Sequence, residues 1–187
     1  MSAAEPTIRL VRDIDADQLG APTPCTDYNV RGLINHLLFW APTLLGAGRK
    51  ELVPPPADND RDMDLTGGDW AAKLVASIKD LATTWGTPEA WDGVTRMGGP
   101  TEMPAAMVGG MVLGELVVHG WDLAASTGQR AVWPDDVIDF VHRGIADTAQ
   151  IGRQHGVFGP VIPVPSTAST MDKLLGLSGR DPRWVAR

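Results

Sequence analysis

One helical stretch constrains this chain more than any other, because it is apolar on every side yet carries a carboxylate and an imidazole. The segment from Pro104 to Thr127, PAAMVGGMVLGELVVHGWDLAAST, holds Glu115 and His119 four residues apart. That spacing sets both side chains on one face, one turn apart. Between Ala105 and Ala125 the one other charged residue is Asp122, three positions further along the same face. A helix this apolar belongs in a core. A carboxylate there costs ~3 kcal/mol or more unless something pairs with it. A metal ion would pair with it, and His119 offers a second ligand. The candidate third ligand is His36, in the segment LINHLLFW. The expectation is a His36/Glu115/His119 metal site inside a helical bundle.

Two imidazoles and one carboxylate make three protein ligands, which leaves room for water or substrate. Zn²⁺ is the first choice, and Ni²⁺, Fe²⁺ or Mn²⁺ accept the same ligand types. A pair spaced E-x-x-x-H also arises where the two residues simply bond each other or a buried partner. That alternative stays open, although the apolar surroundings require both groups to be satisfied. Di-iron bundles repeat E-x-x-H on two helices, whereas here the gap is one residue longer and occurs once. The zinc-protease pattern H-E-x-x-H is absent. A two-His, one-carboxylate iron oxygenase uses the same ligand set and survives as a weaker reading.

A chain of 187 residues fits one domain spanning 1–187. The net charge of −7 and the lack of a Lys/Arg cluster argue against a nucleic-acid surface. No apolar run reads as a membrane span, and the N-terminus lacks the pattern of a signal peptide. The single cysteine, Cys25, has no internal partner, which suits a reducing cytoplasm.

The pattern is mainly helical. An amphipathic segment over about 5–17 precedes a Pro-rich loop, and Thr26 or Asp27 is positioned to cap a helix carrying Val30, Leu33, Ile34, Leu37 and Leu38. Pro42 predicts a kink there, or an end near Ala41. Residues 50–68 read as an exposed loop. Asp69 opens a helix with Trp70, Leu74, Ile78, Leu81 and Trp85 on one side, stopped by Gly86. Residues 91–103, with Gly98-Gly99, suggest a short hairpin. Pro104 then starts the central helix, which ends at Thr127-Gly128. Pro134 starts another, with Val137, Phe140, Val141, Ile145, Thr148 and Ile151 as its buried stripe and Gly156 as its close. A last short helix falls near 169–177. The fold class is all-α: a four-helix bundle with a short β-hairpin and a small C-terminal helix.

Three segments carry a resemblance: ELVVHGWDLAASTGQ (115–129), PTPCTDYNVRGLINHL (22–37) and PVPSTASTMDKLLGLSGRDP (163–182). They resemble the DinB-like metal-binding proteins of actinobacteria, and among these the relatives of the N-terminal domain of mycothiol-dependent maleylpyruvate isomerase. The resemblance covers nearly the whole chain. It implies a DinB-like bundle holding a divalent metal through His36, Glu115 and His119, with mycothiol as thiol cosubstrate. It also implies a metal-activated thiolate that attacks an electrophile, in a transferase or isomerase. A non-catalytic metal- or thiol-binding module with the same site is the alternative. Such isomerases carry a second, C-terminal domain for which 187 residues leave no room, so a related chemistry is expected rather than maleylpyruvate isomerisation itself. Tyr28 stands where relatives often have Trp and reads as a packing variation.

Other residues take quieter roles. Asp122 either orients His119, adds a ligand, or pairs near the helix end. Cys25 reads as a small buried residue rather than a reactive thiol. Trp40 and Trp121 neighbour proposed ligands, though core packing is the simpler role. His142 and His155 read as surface or capping groups. Arg153 and Arg180 could meet an acidic substrate group, and Arg180 is equally a turn residue. A homodimer suits the fold, but the sequence gives no direct signal for one.

Overall fold

The computed structural model describes residues 2–186. Helices α1 (Ala4–Arg12), α2 (Val30–Gly48), α3 (Trp70–Thr84) and α4 (Pro88–Trp91) precede an antiparallel hairpin of β1 (Val94–Arg96) and β2 (Glu102–Pro104). There follow α5 (Ala105–Gly114), a π turn over Glu115–His119, α6 (Gly120–Ser126), α7 (Asp135–Gln154) and α8 (Thr170–Leu177). Short 3₁₀ turns lie at Ala16–Gly20 and Asp60–Asp62. Helices α2, α3, α7 and the continuous α5–α6 rod form the bundle, with α2 against α3 and α5, and α5 against α7. Helix α1 packs on α3 and α6, and α8 on α7. This is the expected bundle, hairpin and small last helix.

The bundle closes because each helix brings one apolar side to a shared core. Leu33, Ile34, Leu74, Ile78, Leu116, Leu123 and Leu174 are all at most 2% exposed. Burying each contributes about 1.5–3 kcal/mol. A second cluster, around Trp85, Leu44, Val108 and Val112, sits beside the hairpin.

The α3 stripe is as expected, and Asp69 caps α3 by accepting the Ala72 N–H at 3.1 Å. Elsewhere the boundaries differ. Asn29, not Thr26 or Asp27, caps α2, its Oδ1 accepting the Gly32 N–H at 2.8 Å. Pro42 does not end α2, which runs on to Gly48. The proline sits on the exposed side, while Thr43, Leu44 and Ala47 behind it are buried and carry the helix past the missing N–H. On α7 the buried stripe is Val137, Val141, Ile145 and Ala149, a strict four-residue row. Phe140 and Ile151 are 38% and 61% exposed, so they lie outside that row. Residues 50–68 are largely exposed, but Asp60 and Thr66 are buried. That exception builds the site.

Candidate metal centre

His36 reaches the bundle interior from the middle of α2, and its neighbour Asn35 determines what it meets there. Asn35 is buried, and its Nδ2 donates to the carbonyls of Asp60 (2.6 Å) and Met63 (3.0 Å). Its Oδ1 accepts the Leu65 N–H at 2.7 Å. Three bonds from one amide thus staple the 60–65 loop onto α2. The loop then delivers Asp60, whose Oδ2 lies 2.7 Å from His36 Nδ1 and accepts the Tyr28 hydroxyl at 2.8 Å. A carboxylate only accepts, so Nδ1 carries a proton, which leaves Nε2 as the nitrogen available to a cation.

On the opposite wall, Asp122 treats His119 in the same way. Its Oδ2 is 2.9 Å from His119 Nδ1. Asp122 is fully buried and is neutralised by Arg180, whose Nη2 and Nε lie 3.1 and 3.4 Å from the two carboxylate oxygens. Arg180 comes from just beyond α8, through a turn at Gly179 with φ +85°. A Cβ there would stand 2.8 Å from the Gly159 backbone, so the turn needs glycine.

Between the two imidazoles lies Glu115, with Oε2 3.3 Å from His36 Nε2 and 3.6 Å from His119 Nε2. The imidazole rings stand edge to face, their centroids 5.3 Å apart. One ligand atom from each of the three residues lies within 4.8 Å of the others. The Glu115 side chain keeps 30% of its surface, but Oε2 itself is buried and accepts no hydrogen bond of proper geometry. Burial pushes the Glu115 carboxyl up, but the charge of His119, close contact with His36, and Arg180 outweigh it and hold it at about 2. For His36, burial acts downward and is outweighed by Glu115 and Asp60, so its pKa lies above the ordinary value.

These residues fit a divalent cation. Two ligands each 2.0–2.1 Å from a tetrahedral ion lie about 3.3 Å apart, close to the spacings here. Both Nε2 lone pairs and an orphaned carboxylate oxygen face one centre, and each imidazole is oriented from behind by a carboxylate. A second grouping, Cys25, His119 and Asp122, also lies within 4.8 Å. Asp122 there is already paired with Arg180, so a cation would meet like charge. Burial also raises the Cys25 pKa, only partly offset by Arg180, which disfavours the thiolate a metal needs.

The three residues singled out in the sequence come together. Sequence reasoning missed Asp60, Asn35 and the function of Tyr28, which is bonded into the site rather than merely packed. An Asn on the buried side of an apolar helix was the available signal for the staple. Asp122 both orients His119 and pairs with Arg180, which is therefore a buried partner of the site. Arg153 donates to the Leu177 carbonyl at 3.0 Å, and His155 is the α7 C-cap. Trp40 is partly buried and lines a small apolar cavity with Leu37, Leu44, Leu74, Ile78 and Glu115. Trp121 packs against the main core.

Comparison with known proteins shows the fold and the family of this chain. Two curated relatives, uncharacterised proteins from two strains of Mycobacterium tuberculosis, are each 28% identical over 93% of this chain and 91% of their own. The crystal structure of the mycothiol-dependent maleylpyruvate isomerase superposes with a TM-score of 0.66 at 18% identity, over 97% of this chain and 86% of that one. A mutant of that enzyme superposes equally well, over 95% and 85%. At such identity the likeness carries the fold alone. The family model of the mycothiol maleylpyruvate isomerase N-terminal domain matches residues 2–124, a span that takes in His36, Glu115, His119 and both orienting aspartates. With two thirds of its length matched, the chain belongs to the mycothiol maleylpyruvate isomerase N-terminal domain family.

Proposed function

We propose that this protein binds one divalent metal through His36, Glu115 and His119 and works as a mycothiol-dependent thiol transferase or isomerase. The observation that carries the reading is the buried, unbonded Oε2 of Glu115 facing two imidazole nitrogens whose far sides are both held by carboxylates. Family membership supports the thiol. Zn²⁺ suits three such ligands, and Ni²⁺, Fe²⁺ or Mn²⁺ would also accept them. The single unpaired Cys25 suits a reducing cytoplasm, and no helix among the described residues is long and apolar enough to cross a membrane.

A bound divalent ion would lower the pKa of a thiol at its open position and favour the thiolate nucleophile. The rest falls to the chain. Asp60 and Asp122 hold the Nδ1 sides of His36 and His119, so both rings stay oriented with Nε2 toward the centre. Tyr28 and Arg180 in turn fix those carboxylates. Leu37, Leu74 and Ile78 share a small apolar cavity with Glu115 and give the site one apolar wall. In conjugation the thiolate forms a C–S bond as the leaving group, a halide for a haloaromatic, departs with the electron pair of the bond it breaks. In isomerisation it adds to an activated C=C as the π bond breaks, the new single bond rotates, and loss of the thiolate re-forms the C=C.

Metal analysis of purified wild type beside His36→Ala and Glu115→Gln tests the site. Near-stoichiometric metal in wild type and its loss from both variants is expected, and unchanged content in both would refute it. Incubation with mycothiol and a haloaromatic electrophile then tests turnover. Metal retained without any metal-dependent rate would leave a thiol-binding module in place of an enzyme.

A further inference from the structure

The two ligands on the central helix stand in a π turn, not in a regular α-helical turn. Widening a turn from i→i+4 to i→i+5 costs hydrogen-bond geometry and shifts the register of backbone partners, so such turns persist where neighbours hold them. They also change the angle between residues four apart. An α-turn advances the fourth residue by about 40° past a full circle, so the π turn alters how squarely Glu115 and His119 face a common point.

One side chain among the described residues hydrogen-bonds the backbone of Glu115–His119. Thr7 of α1 donates from Oγ1 to the Leu116 carbonyl at 2.9 Å, across 109 residues of sequence. Thr7 is fully buried, and its other contact, to the Ala3 carbonyl, is long at 3.4 Å. Its position is fixed from both sides. Trp133 Nε1 donates to the Ala3 carbonyl at 3.1 Å, anchoring the start of α1. Gly120, which follows the π turn, lets α1 and Trp133 approach closely. A Cβ there would meet the Trp133 ring at 2.6 Å and Thr7 Oγ1 at 3.1 Å.

We propose that Thr7 is a positioning residue for the metal centre: its hydroxyl holds the Leu116 carbonyl and thereby keeps the π turn that aims Glu115 and His119 at one ion. The inference rests on the metal reading above for its function, but not for its geometry. It concerns a residue that touches no ligand side chain and lies on a different helix.

Thr7→Val keeps the shape and removes the donor, while Thr7→Ser keeps the donor. Crystal structures of both, without added metal, supply the first arm. In the valine variant the turn should revert toward i→i+4 and separate Glu115 Oε2 from His119 Nε2 beyond the present 3.6 Å. In the serine variant it should persist. Cobalt titration followed by visible absorption supplies the second arm. Thr7→Val should bind cobalt about tenfold more weakly with an altered ligand-field spectrum, about 1.4 kcal/mol, and Thr7→Ser should restore both. A valine variant that keeps the π turn, or binds cobalt as wild type does, overturns the proposal. So does a serine variant as impaired as valine, which would assign the effect to packing. If wild type itself takes no cobalt, the metal reading fails, and the crystallographic arm still decides the role of Thr7.

Discussion

Asp60 and Asp122 perform one task from opposite walls, each accepting a hydrogen bond from the Nδ1–H of a histidine whose Nε2 faces the centre. Residues of this kind are conventionally worth a large part of a metal's affinity. Asp60→Asn should weaken binding by about 10–100-fold, measured by competition with a chelating dye, while leaving the three ligands in place. Cys25 offers a contrasting prediction. Burial first, then Asp122, raises its pKa above 9.0, with Arg180 opposing. Because the thiolate is the reactive form, the alkylation rate of the folded protein by iodoacetamide should climb at higher pH than that of the urea-unfolded chain. Coincident pH profiles would show an ordinary thiol. At this scale the sequence was readable where chemistry was rare. Glu115 and His119 stood out as the polar pair in an apolar helix, and His36 as the imidazole beside it. Asp60 did not stand out, because a single acid in the acid-rich run ADNDRDMD has no periodicity to mark it. Its selection depends on Asn35, 25 residues earlier, choosing which part of the loop to hold.

Among the elements, α2 and the central helix carry the site, and each departs from a regular helix. In α2 the departure is Pro42, which the chain tolerates because packing on both sides of it outweighs one lost hydrogen bond. Pro42→Ala restores that bond at an exposed position and should stabilise the fold by about 2 kcal/mol, less than the ~3 kcal/mol helix-interior penalty because the unfolded chain also gains freedom. A rise in Tm of roughly 4–8 °C would register it, and a fall would show the proline is needed for the shape of α2. In the central helix the departure is the π turn. The presence of each long helix and the apolar row of α3 were legible because periodicity reports them directly. The wider turn was not, since it arises from a contact with α1 that no local pattern encodes. The α7 stripe shows the same limit: Phe140 and Ile151 fit a helical period yet face outward, because neighbours, not hydrophobicity, select which row is buried.

At the scale of the whole molecule, distant parts of the chain converge on the central helix. Helix α1 supplies Thr7 to the π turn, and the segment after α8 supplies Arg180 to Asp122. Removing one member of a buried ion pair strands the other charge. Arg180→Met should therefore cost about 3–5 kcal/mol, a Tm lower by roughly 6–20 °C, and should also loosen His119 through Asp122. A Tm unchanged in calorimetry would mean that Asp122 finds water or a proton instead. The overall bundle could be read from helix lengths and loop composition, whereas this closure could not, because the partner of Asp122 lies 58 positions away.

The Asp122–Arg180 pair also gives the protein an order of assembly. On a ribosome the three candidate ligands emerge well before residue 180, so for an interval the nascent chain owns every donor but not the clamp behind His119. Cation capture during synthesis would then meet an imidazole free to swing. The site is consequently finished only once Arg180 has joined it, and a copy clipped after α8 would keep all three candidate ligands but lose the arginine that holds Asp122.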